Sequence, residues 1–190
     1  MQKRQTLLRP NPGKMLLALL IFCTTASSVW LFTACSSGPA DGLNDLQRAE
    51  SVKKLIVGHE KWKQHPKFAG LQKSTDNTHG TFVKVWFNDK AASVFGNLKG
   101  EFPDGSLIVK RGFKGEKGTE MVKFVTVFQK VKGLDPENGD WFTVRVWDND
   151  ISPLSSYRKE DRATDCMNCH STAKEKFDWV RFPLDKKVEF

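Results

Sequence analysis

The sequence predicts an α+β fold, mainly an antiparallel β-sheet with a few flanking helices and a C-terminal segment that carries a paired-cysteine motif. Two observations carry this prediction. Several stretches rich in β-branched and aromatic residues are bounded by Gly, Pro, Asn and Asp turn signals. One earlier stretch has apolar residues near helical spacing instead. The chain has 190 residues. Once a leader and a short tether are set aside, about 150 residues remain, enough for one real core. We find no internal repeat.

The elements follow in order. Residues 1–35 read as a leader, residues 36–42 (SSGPADG) as a small polar tether, and residues 43–190 as a single domain. Leu43, Leu46, Ala49, Val52, Leu55, Ile56 and Trp62 predict one amphipathic helix over residues 43–63. Residues 64–80 read as loop, with Pro66, Gly70, Asn77 and Gly80. Strands are predicted at residues 81–88 (TFVKVWFN), 106–113 (SLIVKRGF), 120–131 (EMVKFVTVFQKV) and 141–147 (WFTVRVW). Turns separate them at residues 102–105 (FPDG), 115–118 (GEKG) and 135–139 (DPENG). Residues 89–98 fit a short helix, residues 158–176 start helical, and residues 177–182 (FDWVRF) read as a last strand.

The run Cys166-Met167-Asn168-Cys169-His170 is a covalent c-type heme attachment pattern. Thiols two residues apart can each add to a heme vinyl group. His170 then presents its imidazole to the iron as proximal ligand. A zinc site would need two further Cys or His ligands at similar spacing, and none lie nearby. The last predicted segment is therefore a heme-attachment segment.

The leader supports this by placing the domain outside the cytoplasm, where such heme is attached. Lys3, Arg4, Arg9 and Lys14 precede an uncharged run at residues 15–34. Small residues before Cys35 resemble a bacterial lipoprotein processing site, with Cys35 lipidated, although Phe32 departs from the usual Leu. An uncleaved membrane helix is the alternative, because about 20 apolar residues can span a bilayer. Thr24, Thr25, Ser27 and Ser28 favour the signal peptide. The expected location is the periplasmic side of a bacterial membrane. With Cys23 in the apolar run, Cys35 lipidated and Cys166 and Cys169 on heme, no pair remains for a disulfide.

Charge excludes little. The net charge is +8, but four of the 30 basic residues and none of the 22 acidic ones lie in residues 1–35, leaving 26 against 22. The basic residues are interleaved with polar ones, and no nucleic-acid motif is present.

The residues after His170 contain no Met or His, so a sixth iron ligand must come from upstream. Met121, His59, His65 and His79 are the candidates, and each has a plainer role as core or loop residue. A five-coordinate iron with an open distal site is expected. Such a site suits a small ligand better than outer-sphere electron transfer. A six-coordinate electron-transfer cytochrome with a redox partner protein is the alternative.

A mostly β domain, a late Cys-x-x-Cys-His and residues 100–110 (GEFPDGSLIVK) together resemble the cytochrome P-460 family, including the cytochromes c′-beta. The resemblance spans about residues 50–185. It implies a sheet-based homodimer with one covalent heme c per chain and His170 as proximal ligand. In the family's hydroxylamine-oxidising members, a lysine on the strand after the Asp-Gly turn is cross-linked to the macrocycle. Lys110 holds that place here, and strand alternation puts it on the same side as Ile108. Those members also carry a Glu over the iron, which falls here near Phe128, with no carboxylate within residues 126–130. The resemblance therefore implies Phe128 as an aromatic distal cap, with Phe102 a weaker one, and no visible general base. The expected ligand is a small gaseous or N–O species, nitric oxide or hydroxylamine.

Overall fold

A computed structural model of the chain describes residues 42–96, 100–154 and 163–182. The leader with Cys35, and all of the tether but Gly42, lie outside the described residues. Among the described residues, no helix is long and apolar enough to cross a membrane.

The fold is α+β, as the sequence predicts. Six strands form one antiparallel sheet in chain order: β1 (Gln72–Lys73), β2 (Phe82–Phe87), β3 (Leu107–Lys114), β4 (Glu120–Lys130), β5 (Trp141–Trp147) and β6 (Ile151–Pro153). The helices are α1 (Asp45–Leu55), α2 (Asp89–Ala92), α3 (Ala163–His170) and α4 (Lys174–Phe177). The two short edge strands were not expected, because two or three residues are too few to show alternation.

Alternation along the long strands separates two faces. Leu107, Val109, Val125, Val127, Phe142, Val144 and Val146 point to one side and pack with Ala49, Val52 and Ile56 of the α1 segment. Val85, Phe87, Ile108, Phe128 and Trp141 point to the other and pack with Phe68, Met167, Trp179 and Phe182. The central strands are thus covered on both sides.

Helix α1 is shorter than its pattern suggests. Asn44 and Gln47 form a reciprocal capping box at 2.9 and 3.0 Å. At the other end, Gly58 takes φ 75°, and a 3-10 turn, His59–Lys61, replaces the expected continuation. The docked face is Arg48, Ala49 and Val52, whereas Leu46 and Leu55 are exposed. The Arg48 guanidinium lies 5.6 Å over the Phe142 ring, so an arginine takes the place an apolar stripe would have filled.

The expected strand at residues 177–182 does not form. α4 ends at Phe177, and Asp178 and Trp179 follow with φ 47° and 67°. Consecutive left-handed residues cannot continue a strand. The segment instead turns back across the sheet.

Phe142 is fully buried between sheet and helix. Phe142→Ala should cost about 3–5 kcal/mol, and Leu46→Ala should change stability by less than about 0.5 kcal/mol, both read by urea denaturation. Equal losses would mean that α1 docks by a different face.

Candidate heme site

Helical spacing puts the three motif residues together. In α3, Cys166 is three residues before Cys169 and four before His170, so all three share a helix face. They line one wall of a cavity of about 250 Å³. Neither cysteine is in a disulfide. Among the described residues, no three His, Cys, Asp or Glu side chains are grouped to hold a bare metal ion.

The proximal candidate is oriented. His170 is buried, and its Nδ1 lies 2.8 Å from the Trp179 carbonyl. A carbonyl only accepts, so Nδ1 carries the hydrogen and the Nε2 lone pair is left for a metal. Burial, aided by the Lys110 amine, pushes the imidazole down to about 3, against the Trp179 carbonyl. The ring is therefore neutral, the form that ligates.

The opposite wall comes from the sheet. Val85, Lys110, Thr126 and Arg145 lie side by side across β2–β5, with Ile108, Phe128 and Thr143 in the next row. Lys110 is half-buried and donates to the Arg181 carbonyl at 3.3 Å. Burial pushes its amine down to about 8; the Asp76 charge works against that shift and Arg181 adds to it. Lys110 thus shares the cavity with Cys166, Cys169 and His170 rather than snorkelling to solvent.

The Phe128 ring centroid is 4.5 Å from that of His170, at 39°, and both residues line the cavity. Phe102 is not among the cavity's lining residues; it packs 5.6 Å from Trp141.

Of the four candidate sixth ligands, only His79 lines the cavity. Met121 is 61% exposed. His59 packs against Trp62 and Trp86, and its Nδ1 lies 2.9 Å from the Ile56 carbonyl. His65 stacks on Phe68 and accepts from the Lys67 amide. His79 Nδ1 is 3.4 Å from the Thr126 hydroxyl. Burial and then the Lys110 charge push His79 down to about 2, so it is neutral.

The loop that carries His79 also brings a carboxylate to the cavity, from outside residues 126–130. Asp76 meets the Arg181 guanidinium at 2.6 Å and accepts from the Thr78 amide at 3.0 Å. Burial opposes its ionisation, but the Thr78 amide and Arg181 outweigh it and hold the carboxyl below its usual range. The same guanidinium nitrogen is 2.6 Å from Cys169 Sγ. This loop can cross β3 only because Gly112 lacks a side chain. A Cβ there would lie 1.5 Å from the His79 carbonyl oxygen, and the sheet register shifts at this point.

Orphaned polar atoms test whether the walls suit heme. Thr143 Oγ1 and Arg145 Nε are buried without a hydrogen-bond partner, and both residues line the cavity. Buried donors left unmatched are costly, and the carboxylates of a heme would match them. Two thiols, an oriented neutral imidazole and these donors fit the group. The volume lies near the lower edge for cofactor-sized ligands. Thr126, Thr143 and Arg145 were legible as polar interruptions of an apolar strand face, whereas nothing local marked Asp76 or Arg181.

No curated protein matches the chain closely enough to be named as a relative. A family model, Cytochrome P460, matches residues 59–181. The match takes in Lys110, Phe128, Cys166, Cys169 and His170, and it covers well over half of a mainly β chain whose paired thiols and oriented histidine line one cavity: the chain belongs to the Cytochrome P460 family.

Proposed function

We propose that the chain is an exported monoheme c-type cytochrome that binds or converts a small nitrogen ligand, nitric oxide or hydroxylamine, at a His-ligated heme. The observation that carries this reading is the shared wall of Cys166, Cys169 and His170, with His170 Nδ1 held by the Trp179 carbonyl. Bound heme supplies a redox-active iron with an open coordination position. Cys166 and Cys169 would hold it through thioethers, His170 Nε2 would ligate it, and Thr143 and Arg145 would donate to its carboxylates. Export, a lipid anchor at Cys35, a homodimer and a redox partner protein belong to the same proposal and rest on the leader and the family.

Nitric oxide binding is the first reading of the site. Asp76 is committed to Arg181 and Thr78, so it is not a ready proton acceptor. His79 favours one further reading, in which its neutral ring would serve as the sixth ligand of an electron carrier. With the imidazole pushed down to about 2 it is a weak proton acceptor, and a general-base role is the less favoured one.

Replacing both Cys166 and Cys169 with Ala should abolish heme retention in denaturing gels, while His170→Ala should keep the covalent link and lose the proximal ligand. Full retention in the double variant would sink the attachment reading.

Lys110 tests the modified-heme variant. The new bond removes one hydrogen from the amine and one from the porphyrin rim, so it requires an oxidant of the peroxide class. An amine lowered to about 8 supplies the neutral nucleophile. If the bond forms, proteolysis of the holoprotein should give one heme species joining the Lys110 and Cys166–His170 peptides. Lys110→Arg should eliminate it, since Arg keeps the charge without the amine chemistry. Separate peptides from the wild type would disprove the cross-link alone.

His79→Ala separates the remaining readings. The ferrous wild type should be five-coordinate and high-spin, bind nitric oxide readily, and keep that spectrum in the variant. A low-spin wild type that becomes high-spin in His79→Ala would establish the electron carrier. Robust hydroxylamine oxidation falling about 10²–10⁴-fold in the variant would assign His79 as general base.

A further inference from the structure

We infer that the buried Lys130–Asp178 ion pair is a positioning device for the proximal ligand, acting through the Trp179 carbonyl. The inference rests on His170 being that ligand, as proposed above. Lys130 Nζ meets Asp178 Oδ2 at 2.7 Å and Oδ1 at 2.9 Å, with both side chains about nine-tenths buried. Asp178 Oδ2 also accepts from the Phe102 amide at 2.9 Å. The Asp178 carbonyl accepts from Trp141 Nε1 at 2.7 Å. Asp178 is therefore tied to β4, to β5 and to the turn before β3.

The next residue is the one that matters to the site. Trp179 has φ 67°, a region in which a bulky side chain is a genuine outlier, and Asp178 before it has φ 47°. Such geometry persists only where the surroundings over-determine it. The ties at Asp178 supply part of that determination. Gly139 supplies another, since a Cβ there would lie 2.4 Å from the Trp179 ring. The outcome is a carbonyl aimed at His170 Nδ1, which fixes both the tautomer and the ring orientation. A buried ion pair is weak evidence for stability, because desolvation can exceed the attraction. Two elements converging on one carboxylate and a third on the same residue's carbonyl, next to the carbonyl that holds the ligand, are better explained by positioning.

The test uses the heme-loaded protein and the variants Asp178→Asn and Lys130→Met, with Lys130→Arg as the conservative control. Heme content is read in denaturing gels, ligand geometry from the iron–histidine stretching band of the ferrous protein, and nitric oxide affinity by titration. Heme content should stay at the wild-type level, because the thioethers do not depend on Asp178. The iron–histidine band should shift or broaden, and affinity should change by about tenfold or more, as for other groups that support a metal ligand. Lys130→Arg should leave both at their wild-type values. An unshifted band and unchanged affinity in folded Asp178→Asn would overturn the inference. If Asp178→Asn does not fold, Asp178→Glu keeps the charge and lengthens the arm; a shifted band supports positioning and an unshifted one refutes it. A wild type without covalent heme, or with a band that survives His170→Ala, would refute the heme reading itself and is separately recognisable.

Discussion

A charge taken out of water must be matched at hydrogen-bond distance, and the Lys130–Asp178 pair is where that demand joins the sheet to the C-terminal segment. Lys130 ends β4 on the same face as Phe128 and Thr126, and its ammonium also lies 5.1 Å over the Trp141 ring. Asp178 lies 76 residues from Phe102 and 37 from Trp141, yet it holds both. Local bonds from the Trp179 amide to the Ala173 carbonyl and from the Val180 amide to the Phe177 carbonyl close the end of α4, and these long-range contacts add to them. With them, the chain reverses after α4, and Trp179 comes back over His170. Helix α3 carries Cys166, Cys169 and His170; the reversal supplies the carbonyl that holds the His170 ring.

The two faces of the sheet divide the work. The α1 side is almost wholly aliphatic and aromatic, and supplies ordinary core burial. That leaves the other side free to carry polar residues a core would not tolerate. Lys110, Thr126 and Arg145 stand abreast on β3, β4 and β5. Strands lie about 4.8 Å apart, so the row spans roughly 10 Å, the scale of a broad flat ring system rather than of a water-sized ligand. A glycine at position 112 extends this design, because it lets the Asp76–His79 loop close one side of the cavity against the strand.

Much of this was legible from residue order alone. The four long strands, the short helix after β2 and the attachment motif all follow from local pattern, and Lys110 was placed on the correct side by alternation. What failed was information carried between distant segments. FDWVRF has strand composition, but its backbone is set by Lys130, Phe102 and Trp141. The predicted face of α1 holds for Ala49, Val52 and Ile56 but not for its leucines, which stay exposed while Arg48 takes the place over Phe142. Asp76 was invisible as a site residue because its partner, Arg181, is 105 residues away. Strand alternation likewise puts Phe128 on the cavity face, where its ring meets that of His170.

The electrostatics of the cavity bear on the kind of ligand it suits. Burial drives His170 to about 3, His79 to about 2 and Lys110 to about 8, so each shifts toward its neutral form. Guanidiniums cannot follow that route. The permanent positive charge is thus confined to Arg145 and Arg181, and Asp76 already answers Arg181. Arg145 keeps an unmatched Nε and Thr143 an unmatched hydroxyl in the same cavity, where a carboxylate of a bound heme would answer them. Once that demand is met, His79, Thr126 and Ile108 remain beside the Lys110 amine, which at about 8 is lowered but still largely protonated at neutral pH. A small molecule in this space meets one ammonium among neutral groups, and that ammonium is already partly answered by the Arg181 carbonyl.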